Sequence, residues 1–281
     1  MRRALALATL LGLSAACRAE PPPPSDGPRL VTPASVEAPP AAAPAASAPA
    51  PRVVPTEQVV TWTSKDKTRL VGSWYQGPAD APVVLLAHRL SGQRRDWVPL
   101  VTRLLAEGPP VSVMALDLRG HGESSAPGNE TGGRVGGALN RDDVVATGDD
   151  LLTAIAEIDR RLGRPAVRVI GVGSDLGATS VVLAAGREPR LDALALISPV
   201  AALRGVDLYA PYAAVRQRPS LLIGAKEDPV SREPVPTLGS MVGARATVTT
   251  LDGAAHGLPA LGAEAWSALQ RWLITTAAGA P

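Results

Sequence analysis

The chain has 281 residues, of which 46% are hydrophobic and 19% are charged, enough for one medium-sized globular domain with additional segments. Its formal net charge of +2 is accounted for by Arg2 and Arg3, and no lysine-rich or arginine-rich block follows, which excludes the basic surface of a nucleic-acid-binding protein. The single cysteine, Cys17, excludes an internal disulfide.

The first segment, residues 1–17, reads MRRALALATLLGLSAAC. A basic start and an apolar run too short to span a membrane predict a secretory signal. The small residues that end in cysteine resemble a bacterial lipoprotein signal, which implies that Cys17 is lipidated and becomes the new N-terminus. Leu13 lies one position further from the cysteine than in most such signals, so a plain signal peptide with an unmodified cysteine is the alternative. Arg18 stands where an Asp favours the inner membrane, so an outer-membrane lipoprotein facing the periplasm or the surface is expected.

Residues 18–55 are rich in proline and alanine and include the stretch AEPPPPSDGPRLVTPASVEAPPAAAPAASAPAPRVVP. They contain no aromatic residue and no apolar periodicity, which predicts a disordered, semi-rigid linker. Behind a lipidated cysteine this linker would act as a tether that holds the domain off the membrane. Binding of the cell wall or of a partner is the alternative.

The folded domain is predicted over residues 56–281, where short β-rich runs alternate with helical patterns. The predicted strands are 57–62, 69–75, 83–87, 111–117, 166–172, 193–198, 220–224 and 245–251, and the predicted helices are 95–106, 147–162, 177–186 and 262–275. The third to seventh strands are continuous apolar runs, as parallel strands buried on both faces require. Two leading strands before the alternation predict an α/β sheet with an antiparallel start, covered by helices.

The stretch IGVGSDLGAT, residues 170–179, lies between a predicted strand and a predicted helix. The nucleophile of a strand–turn–helix elbow sits in a strained turn, so the residues two before and two after it must lack bulk. Gly173 and Gly177 meet this requirement around Asp175. The other register, with Ser174 as the nucleophile, places a valine and a leucine at the crowded positions.

Two later stretches supply an acid and a histidine. LLIGAKEDPV places Asp228 just after a late strand, with Glu227 as the alternative acid, and LDGAAHGLP places His256 in the loop after the last strand. The order nucleophile, acid, histidine is that of α/β-hydrolases. VVLLAHRLSGQRRDW and ALDLRGHGESS follow the third and fourth strands. With these motifs, the chain from about residue 69 to 275 resembles the α/β-hydrolase family, in particular its small dienelactone-hydrolase-like or esterase-like branch, some members of which are secreted lipoproteins.

The resemblance implies an α/β-hydrolase fold with a mostly parallel eight-stranded sheet flanked by helices. The segment between strands 193–198 and 220–224 is too short for the cap domain that many relatives carry. The site would comprise the triad Asp175, Asp228 and His256.

The oxyanion hole would use the backbone N–H groups of Leu176 and Leu90. Arg89 stands where the family often has glycine, which puts the backbone of this loop in question. Of the three histidines, His88 and His121 fall at positions that order turns in the family, whereas His256 is placed to act as the base.

An aspartate at the elbow changes the expected chemistry. A carboxylate is ionised at neutral pH, and its attack on a carbonyl would give an anhydride, whereas its attack on a saturated carbon gives an ester intermediate. Haloalkane dehalogenases and epoxide hydrolases resemble this chain in carrying aspartate at that turn. Two carboxylates beside His256 would also raise its pKa and favour the imidazolium.

Three hypotheses follow. The first is a secreted, lipid-anchored hydrolase of a small substrate that uses Asp175, Asp228 and His256. The second is a catalytically inactive lipoprotein with a binding role in the cell envelope, and the third is a serine hydrolase that uses Ser174. No metal-ligand cluster or phosphate-binding loop occurs in the sequence, so no cofactor is expected. The expected partners are a small-molecule substrate and a membrane, not nucleic acid, and the sequence predicts no oligomeric state.

Overall fold

The computed structural model describes residues 55–125, 139–258 and 262–279. The predicted signal with Cys17 and the predicted linker, up to residue 54, lie outside these ranges. In the described part of the chain, none of the helices is long and apolar enough to cross a bilayer.

Ten strands and six α-helices make up the described part of the chain. The strands are β1 Gln58–Thr63, β2 Arg69–Tyr75, β3 Val83–Ala87, β4 Ser112–Asp117, β5 Val169–Ser174, β6 Leu191–Ile197, β7 Ala202–Leu203, β8 Val206–Asp207, β9 Ser220–Ala225 and β10 Ala246–Leu251. The helices are α1 Val98–Glu107, α2 Arg141–Leu162, α3 Leu176–Ala185, α4 Tyr209–Ala214, α5 Pro234–Val242 and α6 Gly262–Ala277. Short 3-10 helices precede α1 at Arg94–Trp97 and follow α5 at Gly243–Arg245.

Eight of these strands form one sheet in the order β1-β2-β4-β3-β5-β6-β9-β10. The pairs β1–β2 and β2–β4 are antiparallel, and every pair from β4 to β10 is parallel. This is the mostly parallel eight-stranded sheet with an antiparallel start that the sequence predicts. The remaining strands, β7 and β8, pair with each other as a small hairpin.

The core lies on both faces of the sheet. Residues of α2, α3, α4 and α5 pack against one face, and residues of α1 and α6 pack against the other. The central strands β3, β4, β5 and β9 are buried at every position because helices cover both of their faces. Because β3, β5, β6 and β9 are parallel, their carboxyl ends lie at the same edge of the sheet, where the loops carry the candidate site.

The described segment between β6 and β9 holds only the β7–β8 hairpin and α4, so no cap domain is inserted there. The sequence patterns identify all eight strands of the main sheet but not α4 or α5. They also start α2 at residue 147, whereas it begins at Arg141. Asn140 caps it with a side chain that accepts a hydrogen bond from the N–H of Asp143, so the polar first turn is helical.

Candidate active site

Asp175 occupies the tight turn between β5 and α3. Its backbone angles are φ 53° and ψ −108°, a conformation that costs a non-glycine residue about 1–3 kcal/mol. A Cβ added to Gly173 would lie 2.2 Å from the carbonyl oxygen of Gly177, and one added to Gly177 would lie 2.1 Å from that of Ala87. The two glycines therefore permit the turn, and the strained residue is Asp175, while Ser174 ends β5.

His256 lies between two carboxylates. Its Nδ1 is 2.8 Å from Oδ2 of Asp228, and its Nε2 is 3.8 Å from Oδ2 of Asp175, an ion-pair distance rather than a hydrogen bond. The Asp175 carboxylate, followed by that of Asp228, raises the pKa of His256 to about 9 against the opposing effect of burial. The imidazole is consequently protonated at neutral pH.

Asp228 is buried three residues after the end of β9 and contacts His256. Its Oδ1 accepts a hydrogen bond from the N–H of Val230 at 3.1 Å, and its Oδ2 accepts one from the hydroxyl of Ser231. Burial opposes ionisation, but the hydrogen bonds from Ser231 and His256 outweigh it and lower the pKa of Asp228. Asp228 is therefore a charged acceptor that fixes Nδ1 of His256 as the donor.

The expected oxyanion donors flank Asp175. The N–H of Leu90 donates to Oδ2 of Asp175 at 3.1 Å, so Arg89 does not turn the backbone of this loop away from the site. Leu176 is the first residue of α3, where a backbone N–H has no partner within the helix. The structure thus brings Asp175, Asp228, His256 and the two leucines together.

The loop that carries His256 is fastened by two serines whose roles the sequence analysis missed. The N–H of Gly257 donates to Oγ of Ser198 at 2.9 Å, and the N–H of Leu258 donates to Oγ of Ser174 at 3.3 Å. Both serines are buried at the ends of neighbouring parallel strands. In this structure Ser174 therefore serves as an anchor for the histidine loop.

The loop that carries Leu90 is fastened by the turn after β4. His88 donates from Nδ1 to the carbonyl of Arg89 at 2.7 Å and accepts at Nε2 from the N–H of Leu118 at 3.0 Å. Burial, with a smaller effect of the nearby His121, lowers the pKa of His88 to about 3, so this ring is neutral. His121 accepts the N–H of Ser91 at 3.3 Å. Both histidines make the turn-ordering contacts expected of them.

A buried ion pair completes this fastening and has no counterpart in the sequence analysis. The guanidinium of Arg94 contacts the carboxylate of Asp117, and the backbone N–H of Arg94 donates to the same carboxylate at 2.6 Å. The side chains of Arg94 and Asp117 are 2% and 0% exposed. A basic residue in HRLSGQRRDW and an acidic one in ALDLRGHGESS are the only sequence signal for this pair.

The cavity next to the elbow is small. It measures about 10 Å³ and is lined by residues that include His88, Arg89 and Ser174. Larger cavities of about 390 and 440 Å³ lie at the opposite edge of the sheet, where both are lined by Pro78, Pro109 and Pro110. The described residues that line these two spaces include no member of the triad and no pair of groups suited to acid–base chemistry, so the candidate site is the triad itself.

The described residues contain no group of three or more His, Cys, Asp or Glu side chains that could hold a metal ion. The arrangement at the elbow supplies a carboxylate, a protonated imidazole and two backbone donors. These groups can form and hydrolyse a covalent ester, or they can hold one another in a closed ionic network.

Comparison with solved structures shows the same fold. An α/β hydrolase from Novosphingobium aromaticivorans is 18% identical, with a TM-score of 0.59 over 77% of this chain and 98% of that chain. An esterase of Pyrococcus furiosus is 17% identical, with a TM-score of 0.59 over 79% and 98% of the two chains. A cold-adapted esterase from an Arctic intertidal metagenomic library is 18% identical, with a TM-score of 0.60 over 80% and 95%.

A search of curated protein sequences found no match. The sequence model of the hydrolase family described as serine aminopeptidase, S33, matches residues 78–235, which is more than half of the chain. This range includes the oxyanion loop, the elbow and Asp228. His256 lies beyond its end. The chain therefore belongs to the S33 serine aminopeptidase family of α/β-hydrolases.

Proposed function

We propose that the protein is a hydrolase of small substrates in which Asp175 forms a covalent ester with a saturated carbon. His256, oriented by Asp228, then activates the water that hydrolyses this ester. The observation that carries the proposal is the position of His256, with Nδ1 on one carboxylate and Nε2 facing the other at 3.8 Å. An attack on a carbonyl is disfavoured because it would produce an anhydride.

The reaction has two steps. An oxygen of Asp175 bonds to the saturated carbon, and the leaving group departs with the electron pair of its bond. Water then attacks the carboxyl carbon of the ester, and its proton passes to Nε2 of His256. The N–H groups of Leu90 and Leu176 would stabilise the resulting oxyanion, and the departing alkoxide takes the proton from His256. The products are an alcohol, a proton and the leaving anion, and Asp175 is a carboxylate again.

The charge on Asp175 links the two steps. In the free protein the Asp175 carboxylate is the largest contribution that holds the pKa of His256 at about 9, so Nε2 is blocked by a proton. Ester formation neutralises this carboxylate and lowers the pKa of His256. The imidazole then loses its proton and becomes a base only after the intermediate has formed.

The test uses the full chain with His256→Gln, which is expected to form the ester but not to hydrolyse it. Incubation with small haloalkanes and epoxides should add the mass of the alkyl group to the peptide that contains Asp175. The double variant Asp175→Asn/His256→Gln is the matched control and should gain nothing. Labelling of Ser174 by a fluorophosphonate would contradict the proposed register.

A binding role without turnover is the second candidate. It is favoured by the small cavity at the elbow and by the contacts that already engage Asp175, from the N–H of Leu90 and the imidazole of His256. On this candidate no haloalkane, epoxide or aryl ester is turned over, and Asp175→Ser gains esterase activity. The adduct experiment separates the two candidates because only the first predicts a modified Asp175.

We further propose that the protein is secreted and anchored to the bacterial envelope through lipidated Cys17, with residues 18–55 as the tether. The support is the sequence of residues 1–17. Labelled palmitate should enter the wild-type chain and not Cys17→Ala. Equal labelling of both chains, or of neither, would overturn the anchor.

A further inference from the structure

Arg89 reaches from the oxyanion loop across the backbone next to His256. A Cβ built on Gly257 would lie 2.8 Å from Cδ of Arg89, 3.8 Å from its Nε and 3.5 Å from Oγ of Ser174. The stem of Arg89 therefore packs on Gly257, and Arg89 and Ser174 both line the small cavity beside it. Among the described residues Arg89 has no ion-pair partner.

Three hydrogen-bond donors in this region lack an acceptor within the described part of the chain. Nε of Arg89 and Nε1 of Trp97 are both buried and unpaired, and Trp97 is only 1% exposed. Oγ of Ser174 accepts the N–H of Leu258, and its own proton meets no acceptor. Buried donors of this kind are costly unless something accepts from them.

The same three side chains line one cavity. Its volume of about 10 Å³ is close to the space of one water-sized group, such as a single oxygen atom. Both ring nitrogens of His88, which also lines the cavity, are occupied. Among the described residues of the lining, Asp96 is the one acidic side chain, and its Oδ2 already accepts the N–H of Gln93 at 3.1 Å.

We propose that this cavity is a subsite for one carboxylate oxygen, and that the substrate is a small carboxylate with its leaving group on a neighbouring saturated carbon. Arg89 would supply the charge-assisted bond, and Trp97 and Ser174 the neutral ones. The inference rests on the proposed function for the reacting carbon, because Ser174, which lines the subsite, directly precedes the nucleophile Asp175 in the elbow. An unpaired guanidinium selects an anion, whereas a site built for water alone would not need its charge.

Binding of acetate and of uncharged acetamide to the full chain with Asp175→Asn tests the subsite without turnover, by NMR titration. Acetate should bind more tightly than acetamide, and Arg89→Gln should weaken acetate binding by about tenfold or more without affecting acetamide. Asp96→Asn removes the opposing charge and should tighten acetate binding. Arg95→Gln, at an exposed neighbouring arginine, is the matched control and should change nothing.

Arg89→Lys keeps the charge without the planar fork and should retain part of the acetate affinity. Equal binding of acetate and acetamide, or acetate binding that is insensitive to both Arg89 variants, overturns the subsite. Turnover of chloroacetate and chloroacetamide by the wild-type chain separates this inference from the proposed function. If binding depends on charge but neither substrate is turned over, the subsite stands and the proposed hydrolase function is contradicted. If both substrates are turned over but binding does not depend on charge, the hydrolase function stands and the subsite is contradicted.

Discussion

Replacing Asp175 with asparagine should lower the pKa of His256, because the charge that faces Nε2 is removed. The two groups are 3.8 Å apart, a distance at which two unit charges interact by about 1 kcal/mol in bulk water and about 4 kcal/mol near a protein surface. The His256 side chain is 28% exposed and lies between these limits. Because one pKa unit corresponds to about 1.4 kcal/mol, Asp175→Asn should lower the pKa of His256 by about one to three pKa units from its value of about 9.

The assay is an NMR titration of the histidine ring protons in the wild-type and variant chains. His256→Gln identifies the resonance, which is practical because the chain has three histidines. Asp142→Asn, at a side chain that is 93% exposed, is the matched charge control and should leave the titration unchanged. A wild-type pKa near the ordinary value of about 6.5, or no change in Asp175→Asn, would refute the electrostatic argument.

Three further predictions concern stability. Gly177→Ala should lower the free energy of unfolding in urea by about 3 kcal/mol, because the added Cβ would meet a backbone carbonyl of β3 at 2.1 Å. The control Gly186→Ala, at the end of the same helix, should be close to neutral, and equal effects would contradict the close packing. Arg94→Leu should lower the free energy of unfolding by about 3–5 kcal/mol, because it leaves a buried carboxylate without its ion-pair partner. The control Arg95→Leu, at a side chain that is 64% exposed, should lower it by about 0.5 kcal/mol or less, and similar losses in the two variants would show that the buried pair does not stabilise the fold. The raised pKa of His256 stabilises the folded state by at most about 3 kcal/mol. This stabilisation is complete below the unfolded pKa of about 6.5 and is lost as the pH rises through about 9. A wild-type free energy of unfolding that stays constant over this pH range would exclude the raised pKa.

The elements that the sequence predicts well are those with strong local patterns. Continuous apolar runs identify β3 to β6 and β9, and the spacing of Gly173 and Gly177 identifies the elbow because only glycine tolerates the close approach at both positions. The comparisons confirm the family and the fold. The roles of Asp175, Asp228 and His256 stay predictions, although the structure brings the three side chains together.

The missed elements have weak local signals. Helix α5 begins with the sequence PVPT, and α4 contains Pro211, so both stretches read as turns although proline is tolerated in the first turn of a helix. The contacts of Ser198, Arg94 and Arg89 join segments that are far apart in the chain. No periodicity or spacing indicates such partners, and they emerge only when the sheet places the loops side by side.

The most direct test of the central claim is a single turnover in water enriched in oxygen-18, with the enzyme in excess over a substrate that it converts. If Asp175 forms the ester, the alcohol product carries the ordinary oxygen of that carboxylate, and the peptide that contains Asp175 gains the heavy oxygen from water. Heavy oxygen in the product and none in the Asp175 peptide would show that water attacks the substrate directly, which contradicts a covalent role for Asp175.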